Sequence, residues 1–398
     1  MCTLHMLYSR HIFPQLEAEV ETKEVTVITG MRRVGKTTAL THLYDLVKSE
    51  NKALFDLENP LHRKVFETQN YDAVWNNLKQ FGVTNSAKAY IFLDEVQNLP
   101  EVSKVVKYLY DHWNVKFFLT GSSSYYLRNL FPESLAGRKV IFEMFPLTFE
   151  EFLVFKQVSR FSHPSFAKKA SEKNKIAYDQ LFPYYAEFLE FGGFPSVVLE
   201  ENQERKEKLL SEIFTSYFEK DAKNLADFSD MSKLRDLILL LIPRIASRID
   251  IQKLAAELSV SRQTVYNYLS FLEQTYFIHL LPRHSASIDR QAAGSKKLFL
   301  CDSGIAHVLG RISQGQLLEQ SVFQNLRLNN TLSFYNKDGG SEIDFIANAQ
   351  VAFEVKLSMS HQDVVNLKRR SESLNVSENY IVTLHYSEHQ DALLVTDL

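Results

Sequence analysis

An α/β fold is predicted, with a parallel sheet in the first 150 residues, a helical middle, and a second α/β body at the end of the chain. Three observations predict it. A β-branched run, Val25–Thr29, leads through a glycine-bearing loop into a helical pattern that reaches Val47. A second apolar run, Ala89–Leu93, ends in the adjacent acids Asp94 and Glu95. From about 313 to 383 the patterns run helix, three strands, helix, strand.

Composition sets the limits. At 398 residues the chain has room for about two to four domains of ordinary size. Forty-five basic against 48 acidic residues leave a net charge of −3, too near zero for a wholesale polycation that coats nucleic acid. With 45% hydrophobic and 23% charged residues, extended disorder and fibrous structure are excluded. Two cysteines, Cys2 and Cys301, cannot build a disulfide scaffold or a four-cysteine metal site. No apolar run approaches the ~20 residues that span a bilayer. Glu17, Glu19, Glu21 and Glu24 occupy a stretch that a secretory leader keeps apolar. The expectation is a cytoplasmic protein with no membrane partner.

The loop after the first strand reads Gly30-Met31-Arg32-Arg33-Val34-Gly35-Lys36-Thr37 and fits G-x-x-x-x-G-K-[ST] without a mismatch. Its chemistry depends on what surrounds it: backbone N–H groups and a helix N-terminus cradle phosphates, and glycines keep side chains out of the way. Lys36 is expected on the β- and γ-phosphates and Thr37 on Mg²⁺. The expected nucleotide contacts from this loop are Gly30, Arg33, Val34, Gly35, Lys36, Thr37 and Thr38.

Ala89–Leu93 is uniformly apolar, as a central parallel strand should be. Ligands of open α/β sheets sit at the carboxyl ends of strands, so Asp94 and Glu95 are expected to face the phosphate loop. Asp94 would then join Thr37 in holding Mg²⁺, and Glu95 would polarise the attacking water. The alternative is that the two acids cap the next helix. Further strands are expected at Ala53–Leu57, Lys116–Leu119 and Val140–Phe142.

The extra strand and the glutamate beside the metal aspartate resemble the additional-strand class of P-loop ATPases. Thr120-Gly121-Ser122-Ser123 resembles the sensor position of AAA+ ATPases, with Thr120 and Ser122 both candidates for the γ-phosphate or its water. Arg138, just before the fifth strand, stands where AAA+ proteins keep an arginine finger, in cis or in trans. Its alternative is a bond to a helix C-terminus or a surface acid.

Taken together, the motifs resemble a family of prokaryotic AAA+-type ATPases whose core ends in G-R…P-L-x-x-x-E-F. In that family a winged helix and a C-terminal domain of unknown function follow. The resemblance rests on Gly30–Thr38, Leu93–Gln97, Leu119–Ser123, Gly137-Arg138 with Pro146–Phe152, and Gly192–Pro195, and spans nearly the whole chain. It implies a core over 1–150, helices over 151–228, a winged helix over 229–283 and a final domain over 284–398.

In the middle region, Lys168, Lys169, Lys173 and Lys175 after Ser162-His163-Pro164-Ser165 read as a solvated face. Gly192-Gly193-Phe194-Pro195 is a turn between helices. Two helices joined at Ser259-Val260, with a strand at Tyr276–Leu281, resemble a helix-turn-helix with a wing. Were it to read DNA, Arg262, Gln263, Tyr266 and Asn267 would enter the major groove. One basic residue among four is little charge for phosphate contact, which favours a packing or lid role.

The closing helix–strand order, with Asp344 and then Glu354-x-Lys356, resembles the PD-(D/E)XK nuclease fold. Strand alternation puts Glu354 and Lys356 on one face, and Asp344 can approach from the neighbouring strand. Glu319, Asp344, Glu354 and Lys356 are thus a candidate second metal site. The expected activity is ATP hydrolysis with Mg²⁺, acting on or sensing DNA or RNA, in a chain able to form oligomers. Its rivals are an ATP-regulated, metal-dependent nuclease and a nucleotide-gated switch with little turnover.

Overall fold

The computed structural model describes residues 7–68, 70–122, 137–161, 163–222, 231–285, 294–337 and 341–398. The chain divides into two compact units. One comprises Met1–Phe145, Tyr217–Ala226 and Gln274–Tyr276; the other comprises Pro146–Ser216, Asp227–Glu273 and Phe277–Leu398. The segments expected at 151–228, 229–283 and 284–398 fall largely in the second.

The first unit holds five parallel strands: β1 (Val25–Thr29), β2 (Lys52–Asp56), β3 (Ala89–Asp94), β4 (Val115–Gly121) and β5 (Lys139–Glu143). Their spatial order is β2-β3-β4-β1-β5. β1, β3 and β4 are buried along their whole length, which is why they read as unbroken apolar runs. The strand inserted between the loop-bearing β1 and the acid-bearing β3 is β4, and β2 lies at the edge.

Alternation divides the core. Val25, Val27, Phe55, Ile91, Leu93, Phe117 and Leu119 share one cluster with Trp75, Leu78, Val105 and Leu109. Those last four come from the helices Val74–Lys79 and Val102–His112. On the alternate strand positions Phe92 and Phe118 stack with ring centroids 4.7 Å apart. Each such buried side chain contributes ~1.5–3 kcal/mol over its exposed state, so the strand ends that carry polar groups are fixed by the apolar residues before them.

In the second unit, Thr148 and Glu151 form a reciprocal capping box that starts the helix Phe149–Phe155. This gives the P-L-T-F-E-E-F segment a local structural reason. The helix Lys175–Phe191 ends at Gly192, whose φ is 73°. Gly193 N donates to the carboxylate of Asp302 at 2.7 Å. Lys168 and Lys175 are exposed as expected. Lys173 departs from the solvated-face reading: its ammonium donates to His389 O and Ala392 O at 2.5 and 3.1 Å.

Beyond residue 230 lie the helices Met231–Leu241, Ile251–Leu258 and Arg262–Gln274. The last starts where Ser261 Oγ accepts from Thr264 N at 3.0 Å. An antiparallel pair, β6 (Ile278–Leu281) and β7 (Lys297–Leu300), comes next.

The C-terminal sheet contains β8 (Leu332–Lys337), β9 (Ser341–Ala347), β10 (Val351–Lys356), β11 (Glu378–Thr383) and β12 (Ala392–Leu394), in the order β12-β11-β10-β9-β8. β8, β9 and β10 run antiparallel. β10 and β11 are parallel, with the helix His361–Glu372 between them in sequence. The α-β-β-β-α-β order is as expected, with β12 added. Asn348 and Ala349, with φ of 52° and 56°, turn β9 into β10. The turn expected at Asp338-Gly339-Gly340 lies outside the described residues.

Candidate functional site

The phosphate-type loop leaves β1 at Thr29 and enters the helix Lys36–Leu46, with Gly35 as its N-cap. Two glycines are required by the backbone. Gly30 has φ 148° and Gly35 φ 103°. A methyl group on Gly30 would also overlap the Met144 carbonyl. Arg33 adopts the left-handed region at φ 64°. Thr37 and Thr38 are exposed on the first turn of the helix Lys36–Leu46, where helix N–H groups have no carbonyl one turn earlier to bond. Val34 is buried, and its carbonyl accepts from Arg10 at 2.8 Å.

Lys36 is 4% exposed and donates to Gly30 O and Met31 O, both at 2.9 Å. Its ammonium is thereby held inside the curve of the loop. Thr37 Oγ1 donates to Asp94 Oδ2 at 2.7 Å, so the two expected magnesium ligands meet. A hydroxyl and a carboxylate in contact are the hard oxygen donors that Mg²⁺ takes, and the residues fit that cation. Burial pushes the Asp94 carboxyl above its ordinary range, with the Thr120 and Thr37 hydroxyls and Lys36 opposing and Glu95 reinforcing.

Thr120 is fully buried at the end of β4. Its hydroxyl donates to Asp94 Oδ1 and accepts from Glu95 N, the latter at 3.0 Å. A threonine has one proton to give. Thr120 therefore acts on Asp94 and on the backbone of Glu95, and could reach a phosphate as a donor only by releasing Asp94. Glu95 itself sits at φ 54°, a left-handed conformation uncommon for glutamate.

Sequence reasoning gave no role to Gln97. Its side-chain amide donates to Glu95 Oε2 and, at 3.1 Å, to Ser122 Oγ. Gln97 thus joins the expected base to the expected sensor. Replacing Gln97 with alanine removes a hydrogen bond worth ~1 kcal/mol and should lower kcat about fivefold with KM little changed. Steady-state kinetics checks this, and an unchanged kcat would deny Gln97 a positioning role. Arg10 was also missed. Besides Val34 O, it donates to Phe145 O at 2.9 Å and ties the loop to the segment after β5. No local pattern marks it.

Arg138 is not brought to this site. Its carbonyl accepts from Val25 N at 2.8 Å, at the start of β1, whereas the loop follows the end of β1. Roughly 15 Å of strand intervenes. Its guanidinium pairs with Asp111 at 3.2 Å. The arrangement agrees with the surface-acid alternative and removes the finger in cis. Ser123 lies outside the described residues.

The second expected metal site is also rearranged. Glu319 and Asp344 converge on the ammonium of Lys297, at 2.5 and 3.3 Å, and Glu342 joins them at 2.6 Å. Glu354 faces Lys356 and Arg370 instead, both at 2.9 Å. Burial alone would depress Lys297, but the three carboxylates outweigh it and hold the ammonium well above its ordinary value. Among the described residues no group of three or more His, Cys, Asp or Glu is arranged to hold a metal ion. In the expected quartet, Asp344 has both oxygens engaged, by Lys297 and by Val355 N, and Glu354 has both engaged, by Lys356 and Arg370, which does not fit a divalent cation.

Arg262, Gln263, Tyr266 and Asn267 are all exposed on the helix Arg262–Gln274, with Gln263 donating to Asn267 at 3.0 Å. The hairpin beside that helix is engaged inside the same unit. Arg283 donates to Asn336 O and Arg248 to Asn336 Oδ1, at 2.5 and 3.2 Å, which ties it to β8.

Residues 22–153 match the family model of an AAA domain, a span that contains the loop, both acids, Thr120 and Ser122. Nearly all of that match lies in the first unit. Residues 183–316 match the model of a domain of unknown function. An uncharacterized protein of Methanocaldococcus jannaschii is 27% identical over 389 residues, covering 94% of this chain and 84% of that protein. An uncharacterized protein of Haemophilus influenzae is 27% identical over 409 residues, covering 97% and 95%. Among solved structures, a Walker-type ATPase of Pyrococcus abyssi aligns at 15% identity and TM-score 0.48, over 76% of this chain and 96% of that one. Among the described residues no helix is long and apolar enough to cross a membrane.

Proposed function

We propose that the chain binds ATP with Mg²⁺ at the loop of residues 30–38 and hydrolyses it. The observation that carries this reading is the meeting of Thr37 with Asp94 at 2.7 Å beside a lysine enclosed by its own glycine loop. The AAA-domain match over the same residues supports it. Lys36 holds the β- and γ-phosphates, with loop and first-turn N–H groups supplying the remaining donors. Thr37 and Asp94 hold Mg²⁺, which offsets the phosphate charge when bound. Glu95 takes a proton from the attacking water, and Gln97 orients its carboxylate. An Arg138 contribution belongs to a neighbouring copy, since its own loop is out of reach.

Lys36→Ala is the direct test. A charge-assisted hydrogen bond is worth ~1.5–3 kcal/mol, so nucleotide affinity should fall about 10- to 100-fold. Calorimetric titration of the folded variant with Mg·ATP reads this, and unchanged affinity would remove the site.

Nucleic acid is the proposed partner, through the winged helix expected over residues 229–283. Support comes from the exposed row Arg262, Gln263, Tyr266 and Asn267. The ATPase rate with and without single- and double-stranded DNA tests it, and a rate indifferent to both argues for packing as that helix's role.

A further inference from the structure

We propose that Lys297 stands in place of a divalent cation in the C-terminal body, so that its carboxylates clamp the β6–β7 hairpin and take no metal. This inference rests on the second unit alone and is independent of the ATPase reading.

Lys297 is a buried side chain, 2% exposed, projecting from the first residue of β7. Three carboxylates from two elements close around its ammonium. Glu319 comes from the helix Gln314–Leu326, and Glu342 and Asp344 come from β9. The contacts of 2.5, 2.6 and 3.3 Å are those of a cation among oxygen donors. The second oxygen of Asp344 accepts from Val355 N at 2.8 Å. Both oxygens of Glu354 are paired, one with Lys356 and one with Arg370. Each of these two carboxylates has neither oxygen without a partner.

The ammonium is also not placed to leave. Lys297 pairs with Leu281 across the hairpin and bridges to Arg248 on its other side. The neighbouring Ile249 N donates to Lys296 O at 3.0 Å, and Leu298 N to Ser247 O at 3.0 Å. Withdrawing the side chain would leave three partly buried carboxylates without their counter-charge. Electrically, three carboxylates exceed one ammonium. Once the lysine is shortened, a divalent cation is the natural replacement.

The test uses the full-length protein without nucleotide, probed with Mn²⁺ by electron paramagnetic resonance and by thermal melting in EDTA or Mn²⁺. The wild type should melt at one temperature in both, with no bound Mn²⁺ that Asp344→Asn removes. Lys297→Ala should melt lower in EDTA, recover in Mn²⁺, and bind one Mn²⁺ per chain. Recovery and binding should both vanish in the double variant Lys297→Ala/Asp344→Asn. Mn²⁺ bound by the wild type and lost in Asp344→Asn would overturn the proposal, as would a folded Lys297→Ala that ignores both Mn²⁺ and Mg²⁺. If Lys297→Ala does not fold, the comparison of wild type with Asp344→Asn decides: no difference in Mn²⁺ binding upholds the proposal, and a lost site overturns it.

Discussion

Glu95→Gln is expected to bind Mg·ATP as the wild type does and to hydrolyse it about 10²- to 10⁴-fold more slowly, the usual worth of a positioned general base. The substitution removes a proton acceptor and little else. Glutamine matches glutamate in shape, and its side-chain oxygen can still accept from Gln97, which donates to Glu95 Oε2. The backbone hold on this residue, Glu95 N to Thr120 Oγ1 at 3.0 Å, does not involve the side chain. Binding and turnover are therefore separable. Calorimetry gives the affinity and phosphate release the rate; brisk hydrolysis by the variant would take the base role from Glu95. A wild type that itself releases almost no phosphate while holding nucleotide would indicate a switch.

Gly192→Ala is expected to be the most damaging single methyl group in the second unit. Two effects add. Gly192 has φ 73° and ψ −161°, a region essentially closed to residues with a Cβ, and enforcing it costs ~1–3 kcal/mol. An added Cβ would also overlap the carboxylate of Asp302. That carboxylate has no room to retreat: it is fully buried and accepts from Gly193 N, Gly304 N and Gln324 Nε2 at 2.7, 2.9 and 2.9 Å. A loss of ~4 kcal/mol or more places the change in the exceptional tail of point substitutions, equivalent to a fall in Tm of roughly 10 °C. Gly315→Ala is the control, since nothing lies within 4 Å of the added atom. Equal melting of Gly192→Ala and the control would refute the argument.

The sheet of the first unit was legible because its three central strands are buried on both faces, which leaves unbroken apolar runs at Val25–Thr29 and Ala89–Leu93. The loop was legible because its glycines and lysine are local in sequence. Expectations failed where a partner comes from far along the chain. Arg10 meets Val34 across 24 residues and Phe145 across 135, and no periodicity records such meetings. Arg138 carried a sequence position suited to a finger, yet the direction of β5 delivers it to the far end of the sheet. The nuclease-like letters fell on the expected strands, but Lys297, from a separate hairpin, changes what those carboxylates hold. Asp302 did carry a signal: it is the N-cap of Ser303–Leu309, a position where aspartate is favoured. Its second duty, at Gly193, depends on a turn more than a hundred residues earlier.

The bonds of Lys36 to the carbonyls of Gly30 and Met31 bear on how the loop meets its ligand. On the proposed reading, a triphosphate would not recruit a lysine from solvent; it would compete with two peptide oxygens for one already in place. Association would then trade those two carbonyl partners for phosphate oxygens, on a cradle formed before the nucleotide arrives.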